Sequence, residues 1–225
     1  MDIFQTVILA FIQGLTEFLP VSSSAHLVIF PKFFDWPDQG LAFDVVLHFA
    51  SLCAVIIYYR ASIVLLTQDF FSSILTRKMQ GDSVLAWGVL LGTIPVGLAG
   101  LFFNDYVEMN PRSFEAVAYA TIFFGLALGL SDLIHRVRGI NREVIGGSDI
   151  LIVGCAQALA LIPGTSRAGI TITAALLIGL SRKLSIKFAF LLSIPVITLA
   201  TIMKLFELSN QSQQVNWILL LFGFA

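Results

Sequence analysis

Two short stretches hold most of the residues in this chain that could do chemistry together. The first, 13–26, reads Q-G-L-T-E-F-L-P-V-S-S-S-A-H and carries a carboxylate, three consecutive hydroxyls and an imidazole. The second, 163–167, reads P-G-T-S-R and adds two hydroxyls and a guanidinium. Arg167 is always charged and offers a planar fork of donors that suits phosphate. A serine close to a histidine is the minimum for a hydroxyl nucleophile with its base. Glu17 can orient that histidine or bind a cation. Backbone amides freed at Gly164 and at the start of the following helix are further anion donors. If the two stretches meet, Glu17, Ser22, Ser23, Ser24, His26, Thr165, Ser166 and Arg167 together fit cleavage of a phosphoric anhydride or ester.

The elements that must position these groups are membrane helices. The chain has 225 residues, 57% hydrophobic and 12% charged, with a mean hydropathy of +0.91. A soluble domain carries about 25% charged residues, so the composition is that of an integral membrane protein. Its apolar runs approach the ~20 residues of a spanning helix rather than the ~10-residue alternating strands of a barrel. The fold class is therefore all-α and polytopic. A net charge of -1 excludes a basic nucleic-acid footprint. In such a chain Glu17, His26 and Arg167 are costly at membrane depth, and a polar group kept there marks function by default.

Along the chain, a helix from about residue 2 should stop at Pro20, which has no amide proton and clashes with the preceding turn. The serines after it suit a non-helical elbow, with a second helix over about 25–34. A turn at 35–42 leads to a spanning helix at 43–59, ended by Arg60, and a partly amphipathic connector at 61–83. The next span, 84–103, contains Gly92, Pro95, Gly97 and Gly100, which predict close helix contact and a kink. A loop at 104–113 with Asp105, Glu108 and Arg112 precedes a span at 114–134. The stretch 149–180 is broken by P-G-T-S-R, and 186–203 spans again. The run 215–225 is too short to cross a ~30 Å hydrocarbon core, so either it is partial or further spans lie beyond it. The N-terminus has neither a basic n-region nor a small-residue cleavage site, and no removed signal is expected.

Lys and Arg set the topology. The loops at 60–83, 135–147 and 181–187 are basic and belong in the cytoplasm, whereas those at 35–42, 104–113 and 204–215 belong outside. Both 2–34 and 149–180 must then return to the side they entered, as re-entrant helix pairs with the polar motifs at their tips. V-S-S-S-A (21–25) aligns with G-T-S-R-A (164–168), each after a proline, and Gln13 and Gln157 stand at similar distances upstream. One membrane domain over 1–225 follows, built from two repeats of opposite orientation, about 1–105 and 110–225. Their tips meet near the midplane, a known plan for membrane sites.

Other readings of single residues stay open. Glu17 could neutralise a neighbouring helix, His26 could be a core residue, and the serines could satisfy the backbone around Pro20. Arg167 could be a structural partner of Glu17. Asp44, His48, Glu115 and Asp132 lie near helix ends and read as interface or capping groups. His135 reads as solvated, and Ser51, Thr93 and Gln157 as interhelical bonds. Cys53 and Cys155 read as apolar filler. Neither a phosphate-binding G-x-x-x-x-G-K-[ST] loop nor H-E-x-x-H nor zinc-type cysteine spacing is present.

The motif 13–26 resembles the glutamate-rich first motif of the bacterial undecaprenyl-diphosphatases, also called bacitracin-resistance proteins. P-G-T-S-R-A-G-I-T at 163–171 resembles their second motif, usually P-G-x-S-R-S-G. The resemblance covers essentially the whole chain. It implies an all-helical fold with inverted repeats and hydrolysis of undecaprenyl diphosphate to undecaprenyl phosphate and phosphate. That reaction recycles the lipid carrier for peptidoglycan and other envelope polymers, and it removes the target of bacitracin. The resemblance implies the bacterial inner membrane, a polyprenyl diphosphate as substrate, a divalent cation (magnesium or calcium) with no organic cofactor, and an outward-opening site. A homodimer is the assembly to test.

Carried over residue by residue, Glu17, Ser23, His26 and Arg167 match the family's essential groups, with Glu17 the cation ligand. Gln13, Ser22, Ser24, Gly164, Thr165, Ser166 and Thr171 are then substrate-binding. Ser23 attacks phosphorus with His26 as base, or the two exchange roles, since imidazole can also be phosphorylated. Gln13 stands where many members have a first glutamate, and Ala168 replaces a serine. Members normally continue through further apolar helix. Two rival readings, a polyprenyl-phosphate transporter or flippase and a structural membrane subunit, are distinguished by turnover and by tolerance of alanine at the polar tips.

Overall fold

The computed structural model describes residues 1–109, 114–209 and 217–224, with backbone alone at 41, 103–109 and 207–209. The described residues form helices joined by short turns, and no named strand occurs among them. Helix α1 (Ile3–Thr16) starts on a capping box, in which the Gln5 amide donates to Asp2 Oδ1 at 2.8 Å and the Asp2 amide to Gln5 Oε1 at 3.1 Å. It stops at Thr16, ahead of Pro20. Helix α2 (Ser23–Phe33) begins two residues earlier than the sequence predicts. Ser22, with φ 60 and ψ 90, closes the turn at 17–22 that separates the two helices.

Helix α3 (Leu41–Tyr58) and α4 (Arg60–Thr76) bend by 76° at Tyr59. The segment expected as a connector at 61–83 is thus largely helix. α3 reaches spanning length only as part of this bent pair. Helices α5 (Ser83–Met109), α6 (Phe114–Arg138) and α9 (Arg182–Ser209) contain three stretches long and apolar enough to cross a bilayer. Between α6 and α9, α7 (Gly147–Ala158), a 3-10 turn (Leu159–Leu161) and α8 (Arg167–Leu177) make the second hairpin, broken at 162–166 as expected. α10 (Trp217–Phe224) follows. The loops expected at 104–113 and 204–215 begin as helix, in α5 and α9. Their remainders, 110–113 with Arg112 and 210–216, lie outside the described residues, as do the side chains of Asp105 and Glu108.

α5 lies on α7 and α9, α10 lies on α1 and α3, and α3 crosses α9. The α5–α7 contact is the closest. A Cβ on Gly154 would stand 2.8 Å from the Gly92 carbonyl oxygen, so the two backbones touch. Gln157, fully buried, donates to the same carbonyl at 3.4 Å. Ser51 and Thr93 instead donate to carbonyls one turn back in their own helices, at 3.0 and 2.7 Å, and tie no helices together. Phe188, Leu191, Leu192 and Val153 centre the core. The outer face of α6 shows Phe123, Leu126, Leu130 and Leu133, each more than half exposed. Apolar surface on that scale marks contact with lipid or another apolar body. Cys155 is exposed rather than core filler.

The basic loops gather at one end. Lys187 reaches Asp82 at 3.3 Å, Arg182 and Arg136 share Asp132 at 2.7 and 3.0 Å, and Arg142 bonds Asp149 through both terminal nitrogens. The Arg142 amide and carbonyl pair with Gly179 and Ser181, closing the base of the second hairpin. His135 is buried here, not solvated. Its Nε2 lies 3.1 Å from the Leu180 carbonyl, which can only accept.

Candidate active site

The two tips meet at Glu17. Glu17 ends α1, its backbone amide donating to the Gln13 carbonyl, and its carboxylate is buried. Arg167, the first residue of α8, donates from Nη2 to Glu17 Oε1 at 2.8 Å. Ser23, the first residue of α2, donates to Glu17 Oε2 at 2.6 Å, and Gln13 Nε2 reaches the same oxygen at 2.9 Å. An isolated carboxylate at this depth would cost several kcal/mol or more to bury. Three donors and a guanidinium charge offset that cost. The pairing of Arg167 with Glu17, open as an alternative in the sequence, is made. It uses one donor of the guanidinium fork, and among the described residues the others have no protein partner.

From sequence His48 reads as an interface or capping group, but its Nε2 lies 3.6 Å from Glu17 Oε2. Its Nδ1 lies 2.7 Å from the Asp44 carbonyl, so Nδ1 carries the proton and Nε2 faces the carboxylate. The available signal was the D-V-V-L-H spacing, which puts His48 one turn inside an apolar helix. His26 is fixed in the same way. Its Nδ1 lies 2.8 Å from the Ser22 carbonyl, leaving Nε2 as the working nitrogen. Ser23 therefore directs its proton to Glu17, and no Ser23–His26 hydrogen bond is formed.

The remaining predicted residues divide. Ser22 and Ser24 hydroxyls stand 3.3 Å apart at the elbow. Ser166 caps α8, accepting from the Gly169 amide at 3.1 Å. Gly164 has φ +93, and a Cβ there would run into the Val117 carbonyl, so only glycine fits. Thr165 Oγ1 and Gln13 Oε1 are buried without a hydrogen-bond partner among the described residues. Thr171 turns away, donating to the carbonyls of Arg167 and Ala168 in its own helix.

The profile described as bacitracin resistance protein BacA matches residues 6–225. The chain belongs to the BacA family. Among curated BacA-like relatives, it is 56% identical over 225 residues to the undecaprenyl-diphosphatase of Vesicomyosocius okutanii and 57% identical over 225 residues to that of Ruthia magnifica. Each alignment covers all of this chain and 85% of the relative. It is 52% identical over 219 residues to undecaprenyl-diphosphatase 2 of Stutzerimonas stutzeri, covering 96% of this chain and 81% of the relative. With BacA membership established, the Gln13 departure acquires a meaning. Gln13 donates its amide to Glu17, which a carboxylate there could do only if protonated.

The same donor set bears on the cation expected at Glu17. Both carboxylate oxygens already take donors, one of them from a guanidinium. Among the described residues no group of three His, Cys, Asp or Glu side chains could hold a metal ion. This arrangement does not suit a divalent cation held by Glu17.

Proposed function

We propose that this BacA-family chain hydrolyses undecaprenyl diphosphate to undecaprenyl phosphate and inorganic phosphate in the bacterial inner membrane, returning the carrier to peptidoglycan synthesis and depriving bacitracin of its target. One observation supports it above the rest: Ser23, Glu17 and Arg167 form a continuous chain of short polar contacts between two broken helices. That is a hydroxyl nucleophile, a base and an anion clamp.

Ser23 Oγ attacks the terminal phosphorus while its proton passes to Glu17 Oε2. The bond from that phosphorus to the bridging oxygen breaks, and undecaprenyl phosphate leaves with the bridging oxygen. His26, entering the cycle as the imidazolium, protonates it from Nε2 and regains that proton from the attacking water in the second step. Water then attacks the seryl phosphate, releases inorganic phosphate and restores Ser23, with the proton from Glu17 returned in that step. The free donors of Arg167 stabilise the charge spread over the equatorial oxygens, the main task in phosphoryl transfer. In the alternative, His26 Nε2 is the nucleophile and Ser23 a ligand. Gln13, Ser22, Ser24, Gly164, Thr165 and Ser166 line the approach, while Thr171 holds the first turn of α8. A lipid chain of ~55 carbons stays in the bilayer while its diphosphate enters from the outer side. The two halves act as inverted repeats whose tips form the site. A divalent cation, as the resemblance implies, would arrive chelated by the diphosphate, and a homodimer is the assembly to test by light scattering in detergent.

The test is phosphate release from undecaprenyl diphosphate in micelles, with acid-quench trapping of the phosphoenzyme. Release with label on Ser23 is expected. Label on His26 with none on Ser23 exchanges the two roles. Lipid binding without any release by a folded chain overturns the hydrolase reading.

A further inference from the structure

Between the two tips and α6 lies a crevice of about 10 Å³, room for one water-sized atom. Ser22 borders it from the first tip, Gly164, Ser166 and Gly169 from the second, and Thr121 and Gly125 from α6. It is far too small for a phosphate and the right size for one phosphate oxygen. It also stands next to the groups already assigned, since Ser22 precedes Ser23 and Ser166 precedes Arg167.

The lining suits an anionic oxygen. No carboxylate borders the crevice, and three hydroxyls do. Ser166 Oγ accepts from the Gly169 amide, so its own proton is available to donate. The Ser22–Ser24 contact, 3.3 Å, is long for two hydroxyls and easily exchanged for a better acceptor. Thr121 Oγ1 lies 2.8 Å from the Val117 carbonyl and 3.0 Å from the Gly164 carbonyl. Its single proton faces two acceptors and can turn to a third. Two features fix this geometry. The Val117 backbone is pressed against Gly164, which holds α6 on the second tip. Ser22 keeps a left-handed backbone that a non-glycine residue adopts only at a cost of about 1–3 kcal/mol, and such strain clusters at functional sites.

We propose that this crevice seats one non-bridging oxygen of the terminal phosphoryl group, and that Thr121, on α6 and outside both polar motifs, is a further substrate-contacting residue. The assignment rests on the hydrolase reading above and extends it from two elements to three.

The test compares Thr121→Val, which keeps the branched shape and removes the hydroxyl, with Thr121→Ser, which keeps the hydroxyl. The readouts are kcat/KM on undecaprenyl diphosphate, inhibition by orthovanadate, and melting temperature. Thr121→Val should lose about tenfold in kcat/KM, the scale of one hydrogen bond to a charged group. Vanadate inhibition should weaken by a similar factor at unchanged melting temperature, and Thr121→Ser should stay within about twofold of the parent. A fully active Thr121→Val overturns the oxygen seat. So does a loss shared by Thr121→Val and Thr121→Ser that tracks the melting temperature. A parent that releases no phosphate overturns the hydrolase reading itself.

Discussion

Arg167 Nη2 and Glu17 Oε1 lie 2.8 Å apart although the residues are 150 positions apart in the chain. This contact joins the two hairpin tips, and it ties the proposed anion clamp to the proposed base. Arg167→Ala leaves a buried carboxylate without its counter-charge, a change that costs about 3–5 kcal/mol for a buried pair. It should abolish turnover and lower the melting temperature. Arg167→Lys should recover much of the stability and little of the activity, because an ammonium lacks the planar fork. Measuring both quantities on both variants separates the roles. A lysine variant with full activity would show that charge alone suffices.

Ser23 donates its hydrogen bond to Glu17, and if Glu17 is the base proposed above, Glu17→Gln should cut kcat by about 10²–10⁴, the range for a lost general base. The glutamine keeps hydrogen-bonding capacity, and KM should move far less. Steady-state kinetics on undecaprenyl diphosphate checks the split. Equal loss in kcat for Ser23→Ala and a combined Ser23→Ala/Glu17→Gln variant is the further expectation, since the two act as one unit.

His48 approaches the oxygen of Glu17 that also takes Ser23. His48→Ala should lower kcat by about tenfold, well below the loss expected from the base itself. His48→Gln, whose amide can reach toward Glu17 from the same position, should recover part of it. Parent-like turnover in His48→Ala would return His48 to the role of an interface residue.

Two glycines should fail differently. Gly164→Ala forces a Cβ against the Val117 carbonyl at a positive φ, inside the tip that carries Arg167. Its activity should fall more than its stability. Gly154→Ala separates α7 from α5 at Gly92, far along the hairpin from that tip. It should lower the melting temperature by several degrees, about 2–4 °C per kcal/mol for a chain of this size. Parallel melting curves and assays distinguish the two.

Titration of magnesium against the protein alone should show no saturable site that Glu17→Gln removes. Turnover should instead follow the concentration of the metal–diphosphate complex. A stoichiometric site lost in Glu17→Gln would place the cation on the protein.

Much of the site is legible in the sequence because polar residues in an apolar chain stand out. Glu17 and Arg167 are costly enough at depth to mark themselves, Ser23 is picked out of three serines only by the family resemblance, and the prolines beside them mark the helix breaks. His48 is less legible, since one histidine a turn inside an apolar helix reads equally well as an interface group. Thr121 is silent, because a threonine bonding its own helix is ordinary and only its closeness to Gly164 gives it meaning. The same holds for helix ends. The start of α2 at Ser23 depends on the Ser22 corner, a backbone choice that composition does not encode. α4 reads in the sequence only as a partly amphipathic connector, because its mixed polarity does not reveal that it packs on α5.

Helix α1 has 14 residues and is about 21 Å long, so it cannot hold itself across a bilayer. It packs on α3 and on α10, and α10 follows it by about 200 residues. The first hairpin to leave the ribosome thus waits for a helix made much later before it is fully seated. Biogenesis and competence are thereby linked: Arg167, the partner of Glu17, is also made only after five intervening helices, so a chain halted after its first hairpin has no assembled hydrolytic centre.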